Sequence, residues 1–222
     1  MLFINYSKNL NSKMHQKTIV SADNKSGNVK KALILLHGRG SSAEDILSIT
    51  QHLDVIGYAL YAPQATNNSW YPQSFLMPTA QNEPWLSSAL IIINNLVEDI
   101  KNGGIKSEDI YLLGFSQGAC LTLEFAARNA TKYGGIIAFT GGLIGDKIYK
   151  ENYNGNFKST PIFIGTSNPD MHVPVERVYA SSIVLQNMGA LVTEKIYDNM
   201  GHTINQDEIE QVNKLIFNTT KF

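Results

Sequence analysis

Apolar positions fall into two kinds of run that alternate along the chain. Residues 32–36 (Ala-Leu-Ile-Leu-Leu) and 110–114 (Ile-Tyr-Leu-Leu-Gly) are short and nearly unbroken, the pattern of strands buried on both faces. Residues 17–22, 58–62, 135–139, 161–165 and 191–197 are further strand candidates, with a Gly/Asn/Lys turn expected at 24–28. Between them the spacing becomes helical. Ile46, Leu47, Ile49 and Leu53 follow a cap at Ser41 or Ser42, with Glu44 and Asp45 in the first turn. Residues 86–100 form a second helix that ends before Gly103 and Gly104, and 117–128 are apolar almost all round. Helices at 175–188 and 207–217 complete the series.

Strands alternating with helices predict an α/β fold, a mostly parallel sheet covered on both faces. No repeat, low-complexity tract or linker divides the pattern. The reading is a flexible N-terminal extension, 1–16, and one domain, 17–222, with Met14 as an alternative start to Met1. Ligands of such sheets bind beyond the carboxyl ends of the strands, so residues just after strands carry the chemistry.

Composition narrows the partners. With 222 residues, 43% of them hydrophobic, the chain can enclose one core. Eighteen basic and nineteen acidic residues leave a net charge of −1, which offers nothing to a polyphosphate backbone, so nucleic acid is excluded as a partner. The lone Cys120 cannot form an intramolecular disulfide, which fits a reducing compartment and points to the cytoplasm. Apolar runs fall far short of the ~20 residues that span a bilayer, and the N-terminal one is too short for a signal peptide. No stable membrane insertion is expected. The oligomeric state stays open, a homodimer included.

Gly114-Phe115-Ser116-Gln117-Gly118 matches G-x-S-x-G between a strand and a helix, the setting in which this motif forms a nucleophile elbow. Side chains two residues either side of so sharp a turn would collide, and glycines at 114 and 118 avoid this. Ser116 is therefore the expected nucleophile. The Gln117 N–H, at the start of the helix, is one expected oxyanion donor. His37-Gly38-Arg39-Gly40 directly follows the strand 32–36, where the second donor belongs, and the Arg39 N–H is the candidate. His37 is expected to brace this loop, and the Arg39 side chain to pair with Glu44 or Asp45 at the surface.

The base should lie late in the chain, after the last strand. His202 lies there, whereas His15, His37 and His52 precede Ser116 and His172 comes too early. The acid should follow an adjacent strand end; Asp170, five residues after Gly165, is preferred, with Asp146 and Asp198 as alternatives. Ser116, Asp170 and His202 stand in the chain order of the α/β-hydrolase fold and imply acyl transfer. The 22-residue loop 63–84 leaves the sheet on this side, and its Trp70, Tyr71 and Phe75, with Met77 and the following Trp85, are candidates to wall an acyl or aryl pocket. The stretch between Phe139 and Pro161 is too short for a large cap domain.

Leu36-His37-Gly38-Arg39-Gly40, the Gly-Phe-Ser-Gln-Gly elbow, Asp170-Met171-His172-Val173-Pro174 and Gly201-His202 resemble the phospholipase/carboxylesterase family, which includes acyl-protein thioesterases. The resemblance implies a cofactor-free, metal-free serine esterase acting on small-molecule acyl esters or thioesters. Arg39 stands where thioesterase members commonly have LHGLG, and residues 68–75 resemble the esterase branch, so the expected activity is hydrolysis of short- to medium-chain esters. Thioesterase or lysophospholipase activity is the alternative within the family. A non-catalytic hydrolase-fold binding protein is the alternative of another class. A cysteine nucleophile, as in dienelactone-hydrolase-like enzymes, would have to be Cys120, which reads as a core residue inside a helix.

Overall fold

The computed structural model describes residues 14–23 and 29–218. The turn expected at 24–28 and residues 1–13 of the expected extension lie outside them. Residues 14–16 are described, and there His15 is docked on the body: its Nε2 lies 2.8 Å from the Trp70 carbonyl oxygen and its Nδ1 accepts the Thr66 N–H.

The strands are β1 (Ile19–Asp23), β2 (Lys31–Leu36), β3 (Tyr58–Pro63), β4 (Ile110–Phe115), β5 (Gly135–Phe139), β6 (Pro161–Asn168) and β7 (Leu191–Asp198). They form one sheet in the order β1-β3-β2-β4-β5-β6-β7. Only β1 is antiparallel to its neighbour. The unbroken apolar runs occupy β2 and β4, in the middle of the sheet. Successive side chains of a strand face opposite ways, so Ala32, Ile34 and Leu36 join one core while Leu33 and Leu35 join the other. The first core is covered by α2 (Trp85–Asn102), α3 (Gln117–Arg128) and α4 (Val175–Asn187), and the second by α1 (Ala43–Ser48) and α5 (Gln206–Val212). No helix among the described residues is long and apolar enough to cross a membrane.

Three boundaries differ from expectation for physical reasons. Ser42, not Ser41, caps α1, in a reciprocal box with Asp45; the α-helix stops at Ser48 and a 3₁₀ turn, Ile49–His52, carries the remaining apolar positions. The segment expected as one helix over 207–217 divides into α5 and a π-helical turn, Asn213–Phe217. The third is functional in consequence: β6 runs on to Asn168, three residues past the apolar run, because β7 pairs with it over its whole length. Ser167 is fully buried there and its hydroxyl accepts the Gly201 N–H at 3.0 Å. Asp170 thus lies two residues beyond the strand end.

Under this end of the sheet sits Glu208, a buried carboxyl on α5 facing Gly165. One oxygen accepts the Asn205 N–H at 2.9 Å; the other has no hydrogen-bond partner. Burial outweighs that bond and pushes the carboxyl up to about 7. The folded chain holds this proton more tightly than the unfolded one, so the stability it contributes is full below the ordinary pKa of 4.5 and is lost as pH rises through about 7. We predict that Glu208→Gln flattens the fall in unfolding free energy between pH 5 and 8 by about 3 kcal/mol. Urea denaturation at the two pH values measures this, and an unchanged pH dependence would refute it.

Candidate active site

β4 passes into α3 through Ser116, whose φ of +55° and ψ of −118° are strained for a residue with a side chain. Two glycines permit the turn: a Cβ at 114 would overlap the Gly118 carbonyl, and one at 118 would overlap the carbonyls of Leu36 and His37. The strained turn is held by the Ser116 N–H donating to Phe139 O at 2.9 Å and by the Cys120 N–H closing onto Ser116 O at 3.0 Å.

The structure brings Ser116, His202 and Asp170 together. Ser116 Oγ lies 2.8 Å from His202 Nε2, and His202 Nδ1 lies 2.8 Å from Asp170 Oδ2. A carboxylate only accepts, so the imidazole carries its proton on Nδ1 and Nε2 can receive one from the serine. Burial opposes the charge on Asp170, but hydrogen bonds from the His172 N–H, the His202 ring and the Val173 N–H outweigh it and hold the carboxyl below its ordinary range. The imidazole also packs between two rings, with centroids 5.3 Å from Phe115 and 4.8 Å from His172. Of the alternative acids, Asp146 instead accepts the Tyr149 hydroxyl at 2.6 Å, and Asp198 ends β7.

Arg39 and Gln117 both border the cleft at Ser116. Their side chains do work that the sequence does not reveal. Arg39 does not pair with Glu44 or Asp45: its guanidinium donates to the carbonyls of Tyr71, Pro72 and Gln73 at 2.9, 2.9 and 2.6 Å. The five-donor fork lets the exposed guanidinium reach three carbonyls of the loop at once. Gln117 takes the Trp70 N–H at 2.9 Å and donates to Tyr71 O at 2.8 Å. His37, fully buried, braces the same region: its Nδ1 lies 2.7 Å from Gly38 O and its Nε2 accepts the Ala65 N–H, while burial keeps its pKa low.

The cleft holds about 630 Å³ and is walled by Tyr71, Phe75, Leu76, Cys120 and Val173 among others. Trp70 is not part of its wall. It is fully buried behind it, with its indole N–H on His37 O at 2.9 Å and its ring 5.0 Å from that of His37. Met77 and Trp85 do not reach the cleft either. Burial pushes the Cys120 thiol up to about 12, so it stays protonated and a poor nucleophile near neutral pH.

The sequence model described as Phospholipase/Carboxylesterase matches residues 15–220. The chain belongs to this family. Its α/β-hydrolase fold is shared with the crystal structure of a phospholipase/carboxylesterase from Dyadobacter fermentans, at 52% identity and a TM-score of 0.89 over 92% of this chain and 98% of that one. Acyl-protein thioesterase 1 of Saccharomyces cerevisiae is 34% identical over 133 residues, 56% of this chain and 57% of the yeast protein. The probable carboxylesterase SOBER1-like of Arabidopsis thaliana is 26% identical over 204 residues, 84% of this chain and 78% of the plant protein. The family's named relatives are thus carboxylesterases and thioesterases.

The Arg39 clamp makes a prediction for this member of the family. In Arg39→Ala the backbone amides of residues 66–76 should exchange with deuterium at least about tenfold faster. Arg39→Lys should not restore protection, because one ammonium cannot bridge three carbonyls. Exchange rates like those of the wild type in both variants would show that the guanidinium does not hold the loop.

Proposed function

We propose that this protein is a serine carboxylesterase that hydrolyses short- to medium-chain acyl esters through an acyl-enzyme. The observation that carries the reading is the line of two 2.8 Å contacts from Asp170 through His202 to Ser116, ending on the strained turn at the base of an apolar cleft. His202 Nε2 takes the hydroxyl proton as Ser116 Oγ bonds to the ester carbonyl carbon, and Asp170 steadies the imidazolium that forms. The carbonyl oxygen, now an oxyanion, meets the N–H groups of Arg39 and Gln117, each worth about 3 to 4 kcal/mol to the barrier. Collapse of the tetrahedral intermediate breaks the bond to the leaving oxygen, which departs with the proton from His202. Water then attacks the acyl-serine, giving its proton to the same nitrogen, and the acid leaves as Ser116 is restored.

Phe75, Leu76 and Val173 supply an apolar wall suited to an acyl chain, and the cleft volume suits a chain of modest length. An acyl-thioesterase is the second reading, favoured by the stretch shared with the yeast protein of that name. The same residues would serve it, with a thiol as the leaving group. The free, buried Cys120 suits a reducing compartment, and the reading assigns the protein to the cytoplasm.

Hydrolysis of p-nitrophenyl acetate, butyrate and octanoate tests the proposal. Ser116→Ala should lower kcat by at least about 10³-fold and Asp170→Asn by about 10⁴-fold, both proteins remaining folded by circular dichroism. If neither the wild type nor the variants exceed the background rate, the esterase reading fails and a binding role takes its place.

A further inference from the structure

A second cleft, of about 410 Å³, adjoins the one just described and shares Gly38, Ser41 and Phe115 with it. The junction is tight. A Cβ at position 38 would crowd the Phe115 ring at 3.2 Å, so the bare backbone of Gly38 keeps open the junction where the two clefts meet beside Ser116, which itself lines the first of them. The other walls differ from those of the first cleft. No residue of the loop 63–84 reaches it; Ile46 and Ile49 come from the first helical segment, and Ile204 and Ile209 from the segment that follows His202.

Taking the esterase reading as its basis, we infer that this second cleft holds the alcohol half of the ester, as a leaving-group subsite for a neutral, apolar alcohol of aryl or branched-alkyl type. The argument is stereochemical. The acyl and alcohol parts extend in different directions from the carbonyl carbon, and the leaving oxygen must face His202 Nε2 to receive its proton. Nε2 lies 2.8 Å from Ser116 Oγ, and the chain beyond His202 runs along the second cleft through Ile204. The cleft walled by Tyr71 and Phe75 then takes the acyl part. Four isoleucines and Phe115 favour an apolar alcohol, while Ser48, His52, Asn205 and Gln206 add polar positions to the lining. Asp45 borders the cleft, and its carboxylate already accepts the Ser41 hydroxyl and the Ser42 N–H, so an anionic alcohol would be repelled.

Two substrate ratios, each compared between variant and wild type, test this, because intrinsic leaving-group reactivity cancels in the comparison. One is kcat/KM for 1-naphthyl acetate over methyl acetate, which reads the alcohol side. The other is kcat/KM for p-nitrophenyl octanoate over p-nitrophenyl acetate, which reads the acyl side. Ile49→Trp fills the second cleft from its wall, and Ser48→Trp fills it from the exposed rim, where folding tolerates the change. Each should lower the alcohol ratio at least about tenfold and leave the acyl ratio within about twofold. An unchanged alcohol ratio in folded Ser48→Trp and Ile49→Trp overturns the subsite. So does a fall confined to the acyl ratio, which would place the acyl chain there instead. Failure of the wild type to hydrolyse any ester is a separate result, and overturns the esterase reading on which the subsite rests.

Discussion

The geometry of the site depends on one close approach of main chain to main chain, that of the first turn of α3 to the end of β2. Gly118 lies so near the Leu36 and His37 carbonyls that a Cβ could not be accommodated, and Gly114 lies equally near Gly118. This contact forces Ser116 into its left-handed conformation and keeps the His37-Gly38-Arg39 turn beside it. The strain at Ser116 persists because the surrounding structure leaves the residue no alternative: β4 and α3 are buried and paired on either side. Arg39 and Gln117 border one cleft as a consequence.

The loop 63–84 is fastened to that pair of turns rather than draped over them. Gln117 bonds to its backbone at residues 70 and 71, Arg39 at 71, 72 and 73, and the Trp70 indole returns to His37. The side chains of two residues that border the cleft therefore also hold its wall in place. Gln117 is buried and would leave polar atoms unpaired if a partner were lost, so its bonds, with those of the exposed Arg39, tie the loop to the nucleophile turn.

On the far side, the ladder between β6 and β7 plays the equivalent part. Its extension to Asn168 and Asp198 sets the two loops that carry Asp170 and His202 side by side. The Ser167 hydroxyl then secures Gly201, next to His202. Two N–H groups from the turn that follows hold one Asp170 oxygen and leave the other for the imidazole. Glu208 lies beneath, a carboxyl whose hold on its proton is raised by burial where a charged one would have to be paired.

What the sequence determined by itself were the features written in local residue patterns. The apolar runs of β2 and β4, the helical spacing of α2, α3 and α4, and the two glycines flanking Ser116 are such features, because burial on two faces and a collision-free turn each demand particular residue types at fixed spacing. The chain order of Ser116, Asp170 and His202 was legible for the same reason, since each follows a strand end. Tertiary structure decided matters that depend on partners distant in the chain. The continuation of β6 through polar residues required β7 beside it. The destination of the Arg39 side chain required three carbonyls some thirty residues away, which engage it at three points where sequence proximity suggested a nearby carboxylate. The placement of Trp70 behind the cleft rather than in its wall required His37 and Gln117 to claim its two N–H groups. An aromatic residue in a loop reads the same whether it faces substrate or core, and only the packing of the whole distinguishes the two.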